Sequence, residues 1–310
     1  MDIRVLRTCG LICFMTFFTA CASSPAVRTV AAKPSPPPAQ NLLGTTDELQ
    51  LVTELALDLA DSYGADKVLV ALDIDNTLLA MEQDLGSDQW FSWQTALADE
   101  NRCNPLLVDD RFAVQGALFH ASAMRPTQPN ATAQLRRMQD AGLKVIALTA
   151  RGPDYRLQTF RELRRNGMTF WPSAWPPRRG HSQPFTPEGA ARPVHYEDGV
   201  FFVSGQDKGA MLNELLRRSG EAAPTLIVAV DDKQENLNAI MQAFSFQPTK
   251  VHAWRYSRED DQVEAFNAVA ADAHWDAIEP ALMRIQEVLG PDNYELPEKS
   301  ADECVPDSKG

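Results

Sequence analysis

The sequence predicts an α/β protein: a doubly wound, mostly parallel sheet with helices on both faces and cap insertions that include a β-hairpin. Three features point there. The run Lys67-Val68-Leu69-Val70-Ala71-Leu72 is nearly continuous in apolar residues, the pattern of a strand buried on both faces. Similar runs alternate along the chain with segments whose apolar residues recur at helical spacing. Polar residues recur just past the ends of the runs, where such sheets carry their binding crevices.

Length and composition set the frame. The 310 residues, 44% hydrophobic and 23% charged, suit one sizeable core carrying insertions. Twenty-nine Lys and Arg against 42 Asp and Glu give a net charge of −13, which repels a phosphate backbone and argues against nucleic acid as a partner. A local basic pocket for a small anion remains compatible with that balance. The sequence contains neither G-x-x-x-x-G-K-[ST] nor G-x-G-x-x-G, so ATP or dinucleotide use lacks support. The five histidines show no metal-site spacing.

At the N-terminus, Arg4 and Arg7 precede the apolar stretch Leu11 to Phe18, and Thr19-Ala20-Cys21 follows, which reads as a bacterial export signal over residues 1–22. Two processing routes are open: lipidation of Cys21, which makes a lipoprotein tethered on the periplasmic side of the outer membrane, or cleavage after Ala22. Residues 23–44, with Lys33-Pro34-Ser35-Pro36-Pro37-Pro38, read as a solvated spacer. Of the five cysteines, Cys103 and Cys304 remain in the exported chain, either as a disulfide or as two thiols.

The folded domain is expected over 45–290, with a tail at 291–310. Thr45 and Glu48 suggest a capping box ahead of a helix whose Leu49, Val52, Leu55, Ala56 and Leu59 share one face. The 67–72 strand delivers Asp73 at its end. Helix and strand then alternate through Ala131–Asp140, Lys144–Leu148, Pro153–Asn166, Lys208–Arg218, Thr225–Val230, Lys233–Phe244 and Lys250–Trp254. Two insertions break the rhythm. Residues 81–129 include Trp90 and Trp93, expected to form the insertion's own core. Residues 171–203 are rich in proline, and Val194-His195-Tyr196 and Val200-Phe201-Phe202-Val203 flank the turn signal Glu197-Asp198-Gly199 as a hairpin. Trp171 and Trp175 there either wall the crevice for a substrate ring or pack an irregular loop.

The chemistry gathers at strand ends. Asp73-Ile74-Asp75-Asn76-Thr77 leaves the first strand with two carboxylates two residues apart, which a strand period would point the same way. Thr149 ends the next strand, Lys208 opens a later helix, and Asp231-Asp232 ends the strand after that. Each residue alone also fits a cap or a solvated helix end. It is the ordered set that carries the signal.

With Asp73-Ile74-Asp75-Asn76-Thr77, Thr149-Ala150-Arg151-Gly152, Gln206-Asp207-Lys208-Gly209 and Val230-Asp231-Asp232-Lys233, the chain resembles the haloacid dehalogenase (HAD) superfamily over about residues 66 to 255. Within it, the chain looks like an uncharacterised branch of secreted bacterial proteins akin to exported acid phosphatases. The fourth motif has Asp231 where glycine is common. The resemblance implies a Rossmann-like core, Mg²⁺ as cofactor and a small phosphorylated substrate. It implies Asp73 as nucleophile and metal ligand, and Asp75 as general acid and then base, with its backbone carbonyl on the metal. Asp232 becomes the third ligand, with Asp231 and Asn236 supporting it. Thr149 and Lys208 hold the phosphoryl oxygens, and Arg151 either binds substrate or pairs with a carboxylate. These residue types suit the chemistry, because an anionic ester admits a carboxylate nucleophile only where positive charge neutralises the crevice. The implied function is a Mg²⁺-dependent phosphomonoesterase working through an aspartyl-phosphate. A membrane-anchored binding protein without turnover is the alternative.

Overall fold

The computed structural model describes residues 38–108 and 111–289. The export signal, Cys21, the prolines up to 37, Asp109-Asp110, Cys304 and the tail 291–310 lie outside the described residues, and with Cys304 goes the question of its pairing with Cys103.

The chain opens with β1 (Leu42–Thr46) and α1 (Leu49–Tyr63) and then enters β2 (Val68–Leu72), which is buried throughout. The first insertion follows as β3 (Leu79–Met81), α2 (Asp88–Glu100), α3 (Arg111–Ala121) and β4 (Met124–Pro126). Next come α4 (Ala131–Asp140), β5 (Lys144–Thr149), α5 (Arg156–Arg165), and the hairpin β6 (His195–Glu197) and β7 (Val200–Phe202). The rest is α6 (Lys208–Ser219), β8 (Leu226–Asp231), α7 (Gln234–Ala243), β9 (Lys250–Tyr256), α8 (Asp260–Glu264) and α9 (Ala268–Leu289).

Seven strands form one sheet in the order β1-β9-β8-β2-β5-β7-β6, and every pairing is parallel except that of β6 with β7. Side-chain alternation along β2 explains its apolar run. Val68, Val70 and Leu72 join the core with α1 and α4, while Leu69 and Ala71 join the opposite core with α6 and α7. Both faces are covered, so the sheet is doubly wound. Leu72 pairs with Val230 on one side and Ala147 on the other, which sets the ends of β8, β2 and β5 side by side at about 4.8 Å spacing. Asp73, Thr149 and Asp231 therefore emerge along one edge.

The first insertion has its own core as expected, with Trp90 fully buried among Leu85, Val114 and Leu118 and closed by Ala271 and Leu282 of α9. β3 and β4 pair antiparallel, and their Leu79 and Met124 join the core with α1 and α4. Among the described residues no helix is long and apolar enough to cross a membrane.

Three expectations need correction. The stretch read as spacer to residue 44 already contains β1, which pairs parallel with β9 along Leu42–Thr46. Leu42 and Leu43 stay about half exposed on this edge strand, so its apolar pattern is weak. Gly44 is required by a neighbour: a Cβ there would meet the Trp254 ring at 2.7 Å. The Thr45–Glu48 capping box does not form; Thr46 Oγ1 accepts from Glu48 N at 3.1 Å, and Leu49 N donates to Gln128 Oε1 at 2.9 Å. The hairpin forms, its turn made by Asp198 (φ 46°) and Gly199 (φ 83°), the pair of positive φ values of a type I′ turn. It extends the main sheet beside β5 instead of standing over it as a cap.

Candidate active site and metal centre

Asp73 is held where β2 ends because its backbone N donates to Val230 O at 2.9 Å. The chain then turns tightly: Leu78 N and Leu79 N both donate to Ile74 O at 2.9 Å, and Asn76 takes a positive φ of 55°. That loop separates the two carboxylates that a continued strand would have kept together. Asp73 meets Lys208, whereas Asp75 meets Arg151. The expectation that both point one way fails because the strand stops at Leu72.

Lys208 is the hub. It sits at the start of α6, where Asp207 caps the helix through Ala210 N at 2.7 Å. Its ammonium, 1% exposed, lies 2.7 Å from Asp73 Oδ1 and 2.6 Å from Asp231 Oδ2. Burial alone would lower its pKa, but Asp231 and Asp73 more than reverse this and hold the lysine charged. The other oxygen of Asp231, Oδ1, accepts from Asn236 Nδ2 at 2.8 Å and from Lys233 N at 3.0 Å. Asn236 thus ties the start of α7 to Asp231 at the end of β8.

Asp73, Asp231 and Asp232 each offer a carboxylate oxygen, and these oxygens all lie within 4.8 Å of one another. The grouping differs from the expected Asp73, Asp75 and Asp232. Asp231 belongs to the carboxylate cluster while also anchoring Lys208 and the loop, and the Asp75 side chain is committed to Arg151. The ligand expected from Asp75 is its backbone carbonyl, which stands apart from this carboxylate count. The cluster is electrostatically costly on its own. Burial and the neighbouring carboxylates push the Asp73 pKa well up against the opposing pull of Lys208. Asp232 is pushed up to about 7, first by burial and then by Asp88 and Asp231. Donors that are all carboxylate oxygens, crowded and short of positive charge, fit a hard divalent cation, which would relieve that repulsion.

Thr149 is fully buried at the end of β5, and its Oγ1 accepts from Arg151 N at 3.2 Å, leaving the hydroxyl proton free to donate. Arg151 pairs with a carboxylate: Nε and Nη2 donate to the two oxygens of Asp75 at 2.9 and 2.7 Å. Asp88 and Lys233 were not foreseen. Asp88, at the first turn of α2, pairs with Lys233 Nζ at 2.8 Å and brings the first insertion to the carboxylate cluster. In the sequence each reads only as an ordinary helix-end charge. Asn76, whose Nδ2 lies 3.5 Å from Asp232 Oδ2, was visible only as part of the Asp73 loop.

The tryptophan wall does not form. Trp175 is 3% exposed in the core with α6, and its Nε1 donates to Ser219 Oγ at 3.0 Å. Trp171 lies under the Arg179 guanidinium, 4.7 Å from ring centroid to Cζ. Their loop pairs with the start of β5, Val145 N donating to Ser173 O at 2.9 Å, so both rings sit at the end of the sheet opposite Thr149.

A buried carboxylate cluster able to chelate a metal, set on this α/β fold, is consistent with a metal-dependent hydrolytic enzyme. The mostly parallel, Rossmann-like sheet is likewise consistent with a HAD-like superfamily fold. No curated protein matches the chain. Residues 48–287 match a family model described as a protein of unknown function, DUF2608, and these residues span every strand of the sheet but β1, the insertion and the whole site: the chain belongs to the DUF2608 family.

Proposed function

We propose that the chain is a HAD-type phosphomonoesterase that uses Mg²⁺ and acts outside the cytoplasm. The observation that carries the reading is the contact of Lys208 with both Asp73 and Asp231 beside the carboxylate of Asp232. Mg²⁺ would be held by Asp73, Asp232 and the backbone carbonyl of Asp75, with Asp231 beside them, and would supply positive charge against the anionic ester. Asp73 attacks phosphorus, forming an Oδ–P bond as the ester P–O bond breaks, and Asp75 gives its proton to the departing alkoxide. Water then attacks the aspartyl-phosphate while Asp75 takes its proton. The Asp73–phosphorus bond breaks and inorganic phosphate leaves. Thr149 Oγ and the Lys208 ammonium hold the equatorial oxygens during both steps.

Export and a lipid tether at Cys21 complete the reading. Water is abundant outside the cytoplasm and ATP is not, which favours hydrolysis over transfer to another acceptor. The test is release of phosphate from a chromogenic aryl phosphate by the mature chain. Activity lost with EDTA, restored by Mg²⁺ and absent in Asp73→Asn supports the enzyme. No turnover across a broad ester panel, with phosphate and metal still bound, would make the chain a membrane-anchored binding lipoprotein.

A further inference from the structure

We infer that Arg151 is a positioning residue for the proton-transfer carboxyl of Asp75, and that the first insertion and α5 together hold it in place. The inference rests on the phosphomonoesterase reading and assigns Arg151 a role within it. Arg151 is 7% exposed, and its side chain has four hydrogen-bond contacts: Nε and Nη2 to the two oxygens of Asp75, Nη1 to Thr159 Oγ1 at 2.9 Å, and Nη2 to Met124 Sδ at 3.1 Å. The guanidinium face lies over the Phe119 ring with Cζ 4.3 Å from the centroid. A guanidinium has five N–H donors. Four are spent on protein, so Arg151 has little left with which to clamp a phosphoryl group.

The anchors come from separate parts of the fold: Phe119 from α3, Met124 from β4 and Thr159 from α5. A planar fork fixed on three sides leaves the Asp75 carboxylate one orientation, with one lone pair on each oxygen taken by Arg151 and the others free to carry a proton. Asp75 itself is 17% exposed at the side chain, the only solvent-facing member of the pair beside an arginine side chain at 5%. The insertion packed on Arg151 therefore bears on the geometry of proton delivery.

The experiment compares kcat/KM of wild type, Arg151→Gln and Arg151→Lys on phosphate monoesters from aryl to alkyl leaving groups, with Mg²⁺ present. This ratio reports steps through the first irreversible phosphoryl transfer and omits later hydrolysis of the intermediate. A nitrophenolate departs without a proton, whereas an alkoxide needs one. The expected result is a loss below about 3-fold on nitrophenyl phosphate and above about 30-fold on alkyl phosphates in both variants, in line with what a positioned general acid contributes. Thr159→Val, which removes one anchor without touching Asp75, shows the same trend at smaller size and carries the test if the Arg151 variants do not fold. An equal loss on every ester, no loss on any, or full activity in Arg151→Lys overturns the inference alone. A wild-type protein that hydrolyses none of the series overturns it together with the phosphatase reading.

Discussion

Lys208 and Asp73 meet at 2.7 Å with the ammonium 1% and the carboxylate side chain 7% exposed, which makes this a buried ion pair with little solvent to relax it. Asp231 holds the same ammonium from the other side at 2.6 Å. Removing one partner of such a pair leaves the other buried and unpaired. Lys208→Met is expected to lower the unfolding free energy of the metal-free protein by about 3 kcal/mol, read from urea melts. If Lys208 holds the phosphoryl oxygens as proposed, hydrolysis falls at least about 100-fold in the same variant.

The carboxylate cluster gives stability a pH dependence with a definite sign. Asp232 moves from an ordinary aspartate value of 3.8 to about 7 in the fold, and Asp73 moves upward as well. A folded-state pKa above the unfolded one means that the folded protein holds extra protons between those values, so its stability falls as pH rises from about 4 to about 7. Divalent metal binds the deprotonated form and must displace a proton at low pH. Thermal melts should therefore show a larger Mg²⁺-induced rise in Tm at pH 8 than at pH 5. An equal rise at both would contradict the cluster as the metal site.

Gly209 follows Lys208 and sits where α6 crosses α7, so that a Cβ there would meet Ala239 O at 2.2 Å. A methyl group forces the two helices apart and moves the lysine with them. Gly209→Ala is expected to cost about 2 kcal/mol, in the range of overpacked cores. Under the proposed function, in which Lys208 serves the reacting centre, it should also lower kcat more than KM. Stability curves and steady-state kinetics on the same preparation check both.

Trp175 belongs to the packing of the sheet's far end. Trp175→Phe keeps the ring's apolar body and loses the bond to Ser219, for an expected cost of about 1 kcal/mol. Preference among phosphate esters should be unchanged. A shifted preference would return the loop to the substrate.

The sequence made the core legible where a residue's role is local. The apolar run of β2, the Asp198-Gly199 turn and the acid-, hydroxyl- and lysine-bearing ends of successive elements all depend on short-range pattern. What stayed hidden depends on contacts across the fold. β1 is a half-exposed edge strand recognised only through its pairing with β9, more than two hundred residues away. The bond between Asp88 and Lys233 joins an insertion to the loop after β8, and no spacing rule connects them. Arg151 stands two residues from Thr149 with two partners equally open to it in the sequence; the fold puts Asp75, Thr159 and Phe119 around it. Trp175 misled because aromatic residues in a proline-rich loop look alike whichever end of a sheet they cover.

The most direct test is to trap the covalent intermediate. Mature protein mixed with Mg²⁺ and a good phosphate ester, quenched in acid within the first turnover and digested, should yield the peptide containing Asp73 with the mass of one added phosphoryl group. Asp73→Asn should yield none. A wild-type protein that releases phosphate while Asp73 stays unmodified at every quench time, or carries the phosphoryl group on another residue, would contradict nucleophilic catalysis by Asp73.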